Sequence, residues 1–404
     1  MTGFFNKIFF CVLIFLAGCS QKDAFESGII NINYNDPDTD RIFTLALLQD
    51  YTLDLVSDGF LRDIRWKGSD PDIITVDISG KVSADKPGKA VIFYESDSGS
   101  MNGFVNVEVI ADPMFLFEKF HIDKTLRKEI KNAYSSESQF IDGSVSLYWT
   151  GALNQETRLI DININQYTGL TAAPSILASA ETLKKVRPGI MLEEIQYIAY
   201  HDTGNYDSGA NADMHAGYIA GDDNASFRAR SWHYTVDSAK VIQHVPDNEV
   251  TWHGDSYDSY AKSIGIETCV NYGSDFYSVW QRTGKLIAML LVKYDLGINA
   301  VKQHYDFSRK ICPEILIYNN LYETAMEIIS AEYIVQKYLK EYNIVFQSLN
   351  TAIVDHHGKV INTPLYDTEV GYIVTIENQD AGYRESRVFY SIVAGEQKSA
   401  PRNK

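Results

Sequence analysis

The stretch HYDFSRKICPE, residues 304–314, brings His304, Lys310 and Cys312 into one short loop with Pro313 directly behind. An imidazole and a thiolate this close can share a metal ion, and a lysine between them would face whatever the ion activates. Two ligands do not make a site, so a third is needed. His201 ends the apolar run IQYIAYH and opens the loop DTGNYDSG, much as His304 ends AVKQH. If both runs are neighbouring strands, both rings stand at a sheet edge and face one cavity, where ligands and reactants commonly lie. His201, His304 and Cys312 then leave the fourth position of a tetrahedral zinc for water. Taken singly, each histidine reads more readily as a hydrogen-bonded core residue; the combination is what points to a metal. A carboxylate for such a site stands in SIGIETCV. On a strand, Gly265, Glu267 and Cys269 share one face and Ile264, Ile266 and Thr268 the other. A carboxylate on an apolar strand is costly unless paired or functional. Glu267 reads equally as a base toward activated water and as the buried partner of Lys310.

Composition narrows the partners. The 404 residues are 45% hydrophobic, enough for two or three domains with real cores, and carry a net charge of −17. So acidic a chain lacks the basic surface that neutralises phosphates, which argues against nucleic acid. The opening MTGFFNKIFFCVLIFLAGCS has one lysine, an apolar run from Ile8 to Leu16 and small residues before Cys19. The run is too short to span a bilayer and has the layout of an export signal. Its LAGC resembles the lipobox of bacterial lipoproteins, which implies acylation of Cys19 and an extracytoplasmic, membrane-anchored protein. A plain secretory signal cut near Ala17 and an uncleaved anchor are the alternatives. With Cys11 removed and Cys19 lipidated, only Cys269 and Cys312 remain, and a disulfide between them rivals the metal site.

Residues 1–19 are thus expected to be signal and lipidated cysteine, and 20–29 a tether. From 30 to 111 short alternating segments are separated by Gly, Pro, Asp and Ser. The pattern IRWKGSDPDIITVDISGKVSADKPGKAVIFYES resembles the bacterial Ig-like group 2 domain, a small β-sandwich that spaces enzymes and adhesins on cell surfaces. Residues 112–165 read as a connector, with a helix in FEKFHIDKTLRKEIKNAY and a strand in SVSLYWTG. Between 166 and 340 strands interleave with helices, which argues an α/β architecture. EIQYIAYH, SIGIETCV and AVKQH are strands, and SWHYTVD pairs with KVIQHVPD. DFYSVWQRTGKLIAMLLVKY carries Phe276, Val279, Trp280, Ile287, Leu290, Leu291 and Tyr294 on one helical stripe. Pro313 suits the start of a further helix through EILIYNNLYETAMEIISAEYI. Residues 341–404 return to alternation, as a short C-terminal β module of Ig-like type. His215, His244, His356 and His357 read as ordinary helix, strand and turn residues.

YIAYHDTG, RSWHYTVD, VIQHVPDNEVTWHG, KSIGIETCVN and VKQHYDFSRKICPE follow the order and approximate spacing of the type 2 N-acetylmuramoyl-L-alanine amidases, to which peptidoglycan recognition proteins are related. The resemblance covers the middle of the chain and implies a mixed β-sheet flanked by helices. It implies one Zn²⁺ per chain held by His201, His304 and Cys312, with Glu267 activating water and Lys310 near the developing oxyanion. Trp252 and His253 of TWHG would lie by the substrate groove. His233 reads as readily as a structural hydrogen bond as a substrate contact. Two departures stand out: Glu314 replaces the usual glycine after Cys-Pro, and Trp232 stands where some relatives have a catalytic tyrosine. The implied partners are peptidoglycan or muropeptides, and the membrane through the N-terminal lipid. A catalytically silent wall-binding lipoprotein is the main alternative, although binding-only relatives typically lack the cysteine ligand; a surface spacer is another.

Overall fold

The computed structural model describes residues 29–33, 41–56, 64–99, 101–121, 125–131, 138–144, 149, 151–160, 186–221, 230–356 and 360–396. Cys19, residues 20–28 of the expected tether and most of SVSLYWTG lie outside them, whereas Ile29 already belongs to a strand. The chain divides into two compact units, residues 1–115 and 116–404. Among the described residues no helix is long and apolar enough to cross a membrane.

The first unit holds eight described strands: β1 (Ile29–Asn33), β2 (Ile42–Ala46), β3 (Asp50–Val56), β4 (Ile64–Gly68), β5 (Ile74–Val76), β6 (Lys81–Ala84), β7 (Gly88–Ser96) and β8 (Asn102–Ile110). They form two four-stranded sheets, ordered β1-β3-β6-β5 and β2-β8-β7-β4. Alternate residues of β7 and β8 are buried, among them Ile92, Tyr94, Val105 and Val107, as the period-two pattern requires. The VDISGK turn is closed by Asp77, whose Oδ1 accepts from the amides of Ser79 and Lys81 and the hydroxyl of Ser79. Gly80 there takes a positive φ of 80°, which a side chain resists.

Helix α1 (Pro113–Phe120) is followed by β9 (Thr125–Lys131), which pairs antiparallel with β10 (Ser138–Ser144). The helix expected through residue 134 therefore ends early. Leu126 and Ile130 stand four apart, a spacing that fits one helix face and equally one strand face, and strand pairing decides it.

The second unit is organised by a six-stranded mixed sheet. Its strands are β11 (Gln155–Thr157), β12 (Tyr197–Asp202), β13 (Tyr234–Val236), β14 (Val241–Gln243), β15 (Ser263–Thr268) and β16 (Val301–Gln303), in the order β11-β14-β13-β15-β12-β16. Its central neighbours run parallel, and only β13 and β14 pair antiparallel. The connector thus supplies an edge strand, one too short to show alternation. Around the sheet stand α2 (Ala212–Ile219), α3 (Tyr257–Lys262), α4 (Phe276–Lys293), α5 (His304–Ser308), α6 (Glu314–Tyr318) and α7 (Tyr322–Tyr338). The apolar stripe of α4 is buried from Phe276 to Leu291, and Gly284 lets α7 approach so closely that a Cβ would lie 2.8 Å from Ile328. The single helix expected after Pro313 is broken into α6 and α7. Asn320 there adopts a left-handed φ of 52°, which Asn tolerates better than most residues. Pro313 is the N-cap of α6.

The tail forms an antiparallel sheet of β17 (Asn343–Ser348), β18 (Thr368–Asn378) and β19 (Tyr383–Val393). Phe117 and His121 pack against its Phe346, Tyr372 and Phe389. His121 bonds through Nε2 to the Tyr372 hydroxyl. Burial holds its pKa down at about 4, from an ordinary 6.5. The neutral ring is thus favoured in the fold. Its contribution is fully present above pH 6.5 and is lost as the pH falls through the window down to about 4. The loss is on the order of 3 kcal/mol. His121→Gln should therefore show a shallower fall of melting temperature between pH 7 and pH 4 than wild type. Equal slopes for the two proteins would remove this role.

Candidate metal centre

Register builds the site. In the parallel pair β12–β15, His201 stands opposite Glu267, and on the other side of β12 Tyr200 pairs with Gln303, so that His304 follows at the level of His201. His304, His201 and Glu267 are consequently side by side at the C-terminal ends of three adjacent strands. His304 is the first residue of α5 rather than the last of β16, and β12 continues one residue beyond His201 to Asp202. Neither shift of boundary moves a side chain away from the cavity.

Cys312 is brought up by the loop between α5 and α6. Asp202 anchors that loop: its Oδ2 accepts the amide of Ile315 at 2.9 Å, and its carbonyl accepts from the Cys312 thiol at 3.8 Å. The Nδ1 atoms of His201 and His304 lie 3.1 Å apart, and Sγ of Cys312 lies 3.8 Å from His201 Nδ1. All three ligand atoms fall within 4.8 Å of one another, and all three residues are buried. Bond lengths of about 2.1 Å to nitrogen and 2.3 Å to sulfur in a tetrahedron place such atoms about 3.3 to 3.6 Å apart. The donor set therefore fits a metal ion. Its protonation chemistry agrees. Burial, with His253, His304 and Lys310 nearby, pushes the His201 pKa far down and keeps a lone pair free for a ligand bond. Burial also pushes the Cys312 thiol up, so a thiolate there needs a cation beside it. Cys269 and Cys312 are both free thiols in the structure, without the rival disulfide.

These residues line a cavity of about 1000 Å³ together with Lys310, Trp252, His253, Trp232, Arg230 and Tyr206. Glu267 is only partly exposed to it, and its Oε2 is shut off from solvent without a hydrogen-bond partner. Burial and then the nearby Asp202 push its pKa well up, against the pull of Lys310 and Arg230. Lys310 is exposed to the cavity and acts on Glu267 through space.

His253 faces the ligands: its Nδ1 lies 3.0 Å from His201 Nε2. Its ring lies flat on β15 at Gly265, where an added Cβ would come within 2.8–2.9 Å of it. Trp252 lines the cavity and also packs on Tyr260, Ile190 and Leu192. His233 is set apart from the cavity. It is fully buried, its Nε2 meets the Glu249 carbonyl at 2.9 Å and its Nδ1 accepts the Gly265 amide, which is the structural of its two readings. The Trp232 indole donates to Thr235 Oγ1 at 2.7 Å. His215 and His244 are buried, and His356 accepts from the Ser348 amide. Asp202, Asp255, Arg230 and Tyr206 were not singled out by sequence. Of these only Asp255 left a signal, a carboxylate in the tight HGD turn after His253.

The parallel strand ends of this α/β domain thus carry a buried His, His, Cys set that could hold a metal ion, beside a carboxylate. Residues 191–315 match the family model described as N-acetylmuramoyl-L-alanine amidase, and every cavity residue assigned a role by sequence falls inside this stretch. The match makes residues 191–315 similar to amidase domains. The N-acetylmuramoyl-L-alanine amidase CwlH of Bacillus subtilis is 36% identical over 134 residues, 32% of this chain and 52% of CwlH. XlyA of the same organism is 38% identical over 133 residues, 32% of this chain and 43% of XlyA. The chain spans about half the length of these curated relatives. The solved catalytic domain of XlyA aligns over 99% of its length and 44% of this chain, at 29% identity and a TM-score of 0.36.

Cys312→Ser should sharply lower the metal content of purified protein, because two histidines cannot close a tetrahedron. Cys269→Ser, on the neighbouring strand end, should leave it nearly intact. Metal analysis of both variants checks this, and equal contents would remove Cys312 from the ligand set.

Proposed function

We propose that the protein is a zinc-dependent peptidoglycan hydrolase that cleaves the amide bond between N-acetylmuramic acid and the L-alanine of the stem peptide. The observation that carries this reading is the convergence of His201 Nδ1, His304 Nδ1 and Cys312 Sγ beside the solvent-shielded oxygen of Glu267. The similarity of residues 191–315 to the amidases supplies the substrate class. His201, His304 and Cys312 would hold the ion. Zinc, when bound, supplies a Lewis acid that polarises a carbonyl and acidifies water.

The remaining steps belong to side chains. Glu267 accepts the proton of the attacking water as the new C–O bond forms. The same proton then passes to the alanine nitrogen as the C–N bond breaks, which frees the lactyl carboxylate and the peptide amine. Lys310, exposed at the cavity wall, offsets the negative charge that grows on the carbonyl oxygen. The intact ligand set and carboxylate favour a hydrolase over a silent wall-binding protein.

Glu267→Gln keeps the shape of the side chain and removes its basic oxygen. It should retain full zinc and bind muropeptide as wild type does, while turnover falls by about a hundredfold or more. Zinc content, melting temperature and turnover measured on one preparation check this. Near-normal turnover per zinc-loaded molecule would rule out the assignment.

The N-terminal features complete the proposal. Acylation at Cys19 would tether the enzyme to a bacterial membrane, facing the wall, with residues 30–111 as an Ig-like spacer. The support is the LAGC sequence and the alternating pattern after it. Cys19→Ser should move the protein from the membrane fraction to the soluble or unprocessed one; a wild type that already fractionates as soluble contradicts the anchor.

A further inference from the structure

The residues behind the ligands are as ordered as the ligands. If His201 and His304 both turn Nδ1 to the ion, each must carry its proton on Nε2, and that N–H needs an acceptor. Both acceptors come from one short loop. His253 Nδ1 lies 3.0 Å from His201 Nε2, and Asp255 Oδ2 lies 3.1 Å from His304 Nε2. Between them Gly254 takes a φ of 72° and Asp255 one of 54°, so the chain reverses sharply and both side chains reach the same pair of rings. The turn is fixed from outside: Ser259 Oγ donates to the His253 carbonyl at 2.7 Å, and a Cβ at Gly254 would meet Ser259 Cβ at 2.4 Å. The rings follow this order, with His201 edge-on to His253 at 5.0 Å and to His304 at 4.8 Å.

From this geometry we infer that the turn His253–Gly254–Asp255 is a clip that positions both histidine ligands, His253 holding His201 and Asp255 holding His304 with Nδ1 toward the ion. His253 is then a positioning residue and not a substrate contact. The inference rests on the zinc reading above. It adds that affinity for the ion is set by a loop containing none of its ligands. Partners of this kind commonly contribute about 10- to 100-fold in metal affinity, because they fix the tautomer and the orientation of the ring.

Asp255 allows a clean test, since its side chain is 61% exposed and its removal leaves no hole in the core. Full-length wild type, Asp255→Ala, Asp255→Asn, His253→Leu and His253→Asn are titrated with zinc against a chelating dye. Melting temperatures are taken in the metal-free state, and ligand-field spectra in the cobalt-substituted state. Asp255→Ala should bind zinc about 10- to 100-fold more weakly, with an unchanged metal-free melting temperature and displaced cobalt bands. Asp255→Asn retains an acceptor oxygen and should recover most of both. His253→Asn, whose amide oxygen can occupy the place of Nδ1, should likewise exceed His253→Leu. Where His253→Leu does not fold, the Asp255 pair decides alone. Zinc affinity of Asp255→Ala within about threefold of wild type, or no recovery in Asp255→Asn, overturns the clip. A rise in KM with unchanged zinc affinity in His253→Leu returns His253 to the substrate groove and also overturns it. A wild type that binds no zinc overturns the zinc reading itself, and the clip with it.

Discussion

The site depends on the register between β12 and β15. Parallel pairing of His201 with Glu267 sets a candidate metal-binding ring and the candidate base at the same level and on the same side of the sheet. A slip of one residue would turn Glu267 to the opposite face and bring Ile266 beside His201. Both faces of the sheet are largely buried here, so the apolar residues of the two strands enforce the pairing: Ile198, Ile264 and Ile266 are all fully buried. Core packing and catalytic geometry are thus specified by the same alternation. Cys312, which comes from a loop, needs a separate anchor and has it in Asp202.

The site also concentrates groups that burial keeps neutral. His201 and His253 are pushed toward the unprotonated form, Cys312 and Glu267 toward the protonated one, each chiefly by loss of water. Such a cluster is costly in a closed fold unless something brings charge back. A divalent ion held by His201, His304 and Cys312 would do so: it would take the lone pairs of the two histidine ligands, stabilise the thiolate and favour an ionised carboxylate nearby.

The convergence of the candidate site residues was legible in sequence because they lie on strand ends and in one compact loop, where residue type and strand phase suffice. His201, Glu267, His304, Lys310 and Cys312 all line one cavity, and α4 buries the stripe its periodicity announced. Illegible were features decided by tertiary contacts. Leu126 and Ile130 fit two periods at once, and only the partner strand β10 chose between them. The break between α6 and α7 turns on one left-handed Asn. His233 and His253 look alike in sequence, yet one accepts the Gly265 amide within the sheet and the other meets His201, a difference decided by tertiary contacts. The edge strand β11 is three residues long and carries no pattern of its own.

That edge strand separates the stretch recognisable by similarity from the part that can stand alone. The family match covers residues 191–315, whereas β11 lies at 155–157 and α7 at 322–338. Arg282 of α4 ties the first to the body through the carbonyls of Ala152, Leu153 and Ser238. A fragment trimmed to the matched stretch would keep every ligand. It would also bare the backbone of β14 along one sheet edge and the apolar side of α4 that receives α7, surfaces that invite pairing between copies. The smallest soluble fragment that holds the candidate site is therefore set by these coverings, and its ends lie well outside the limits drawn by similarity.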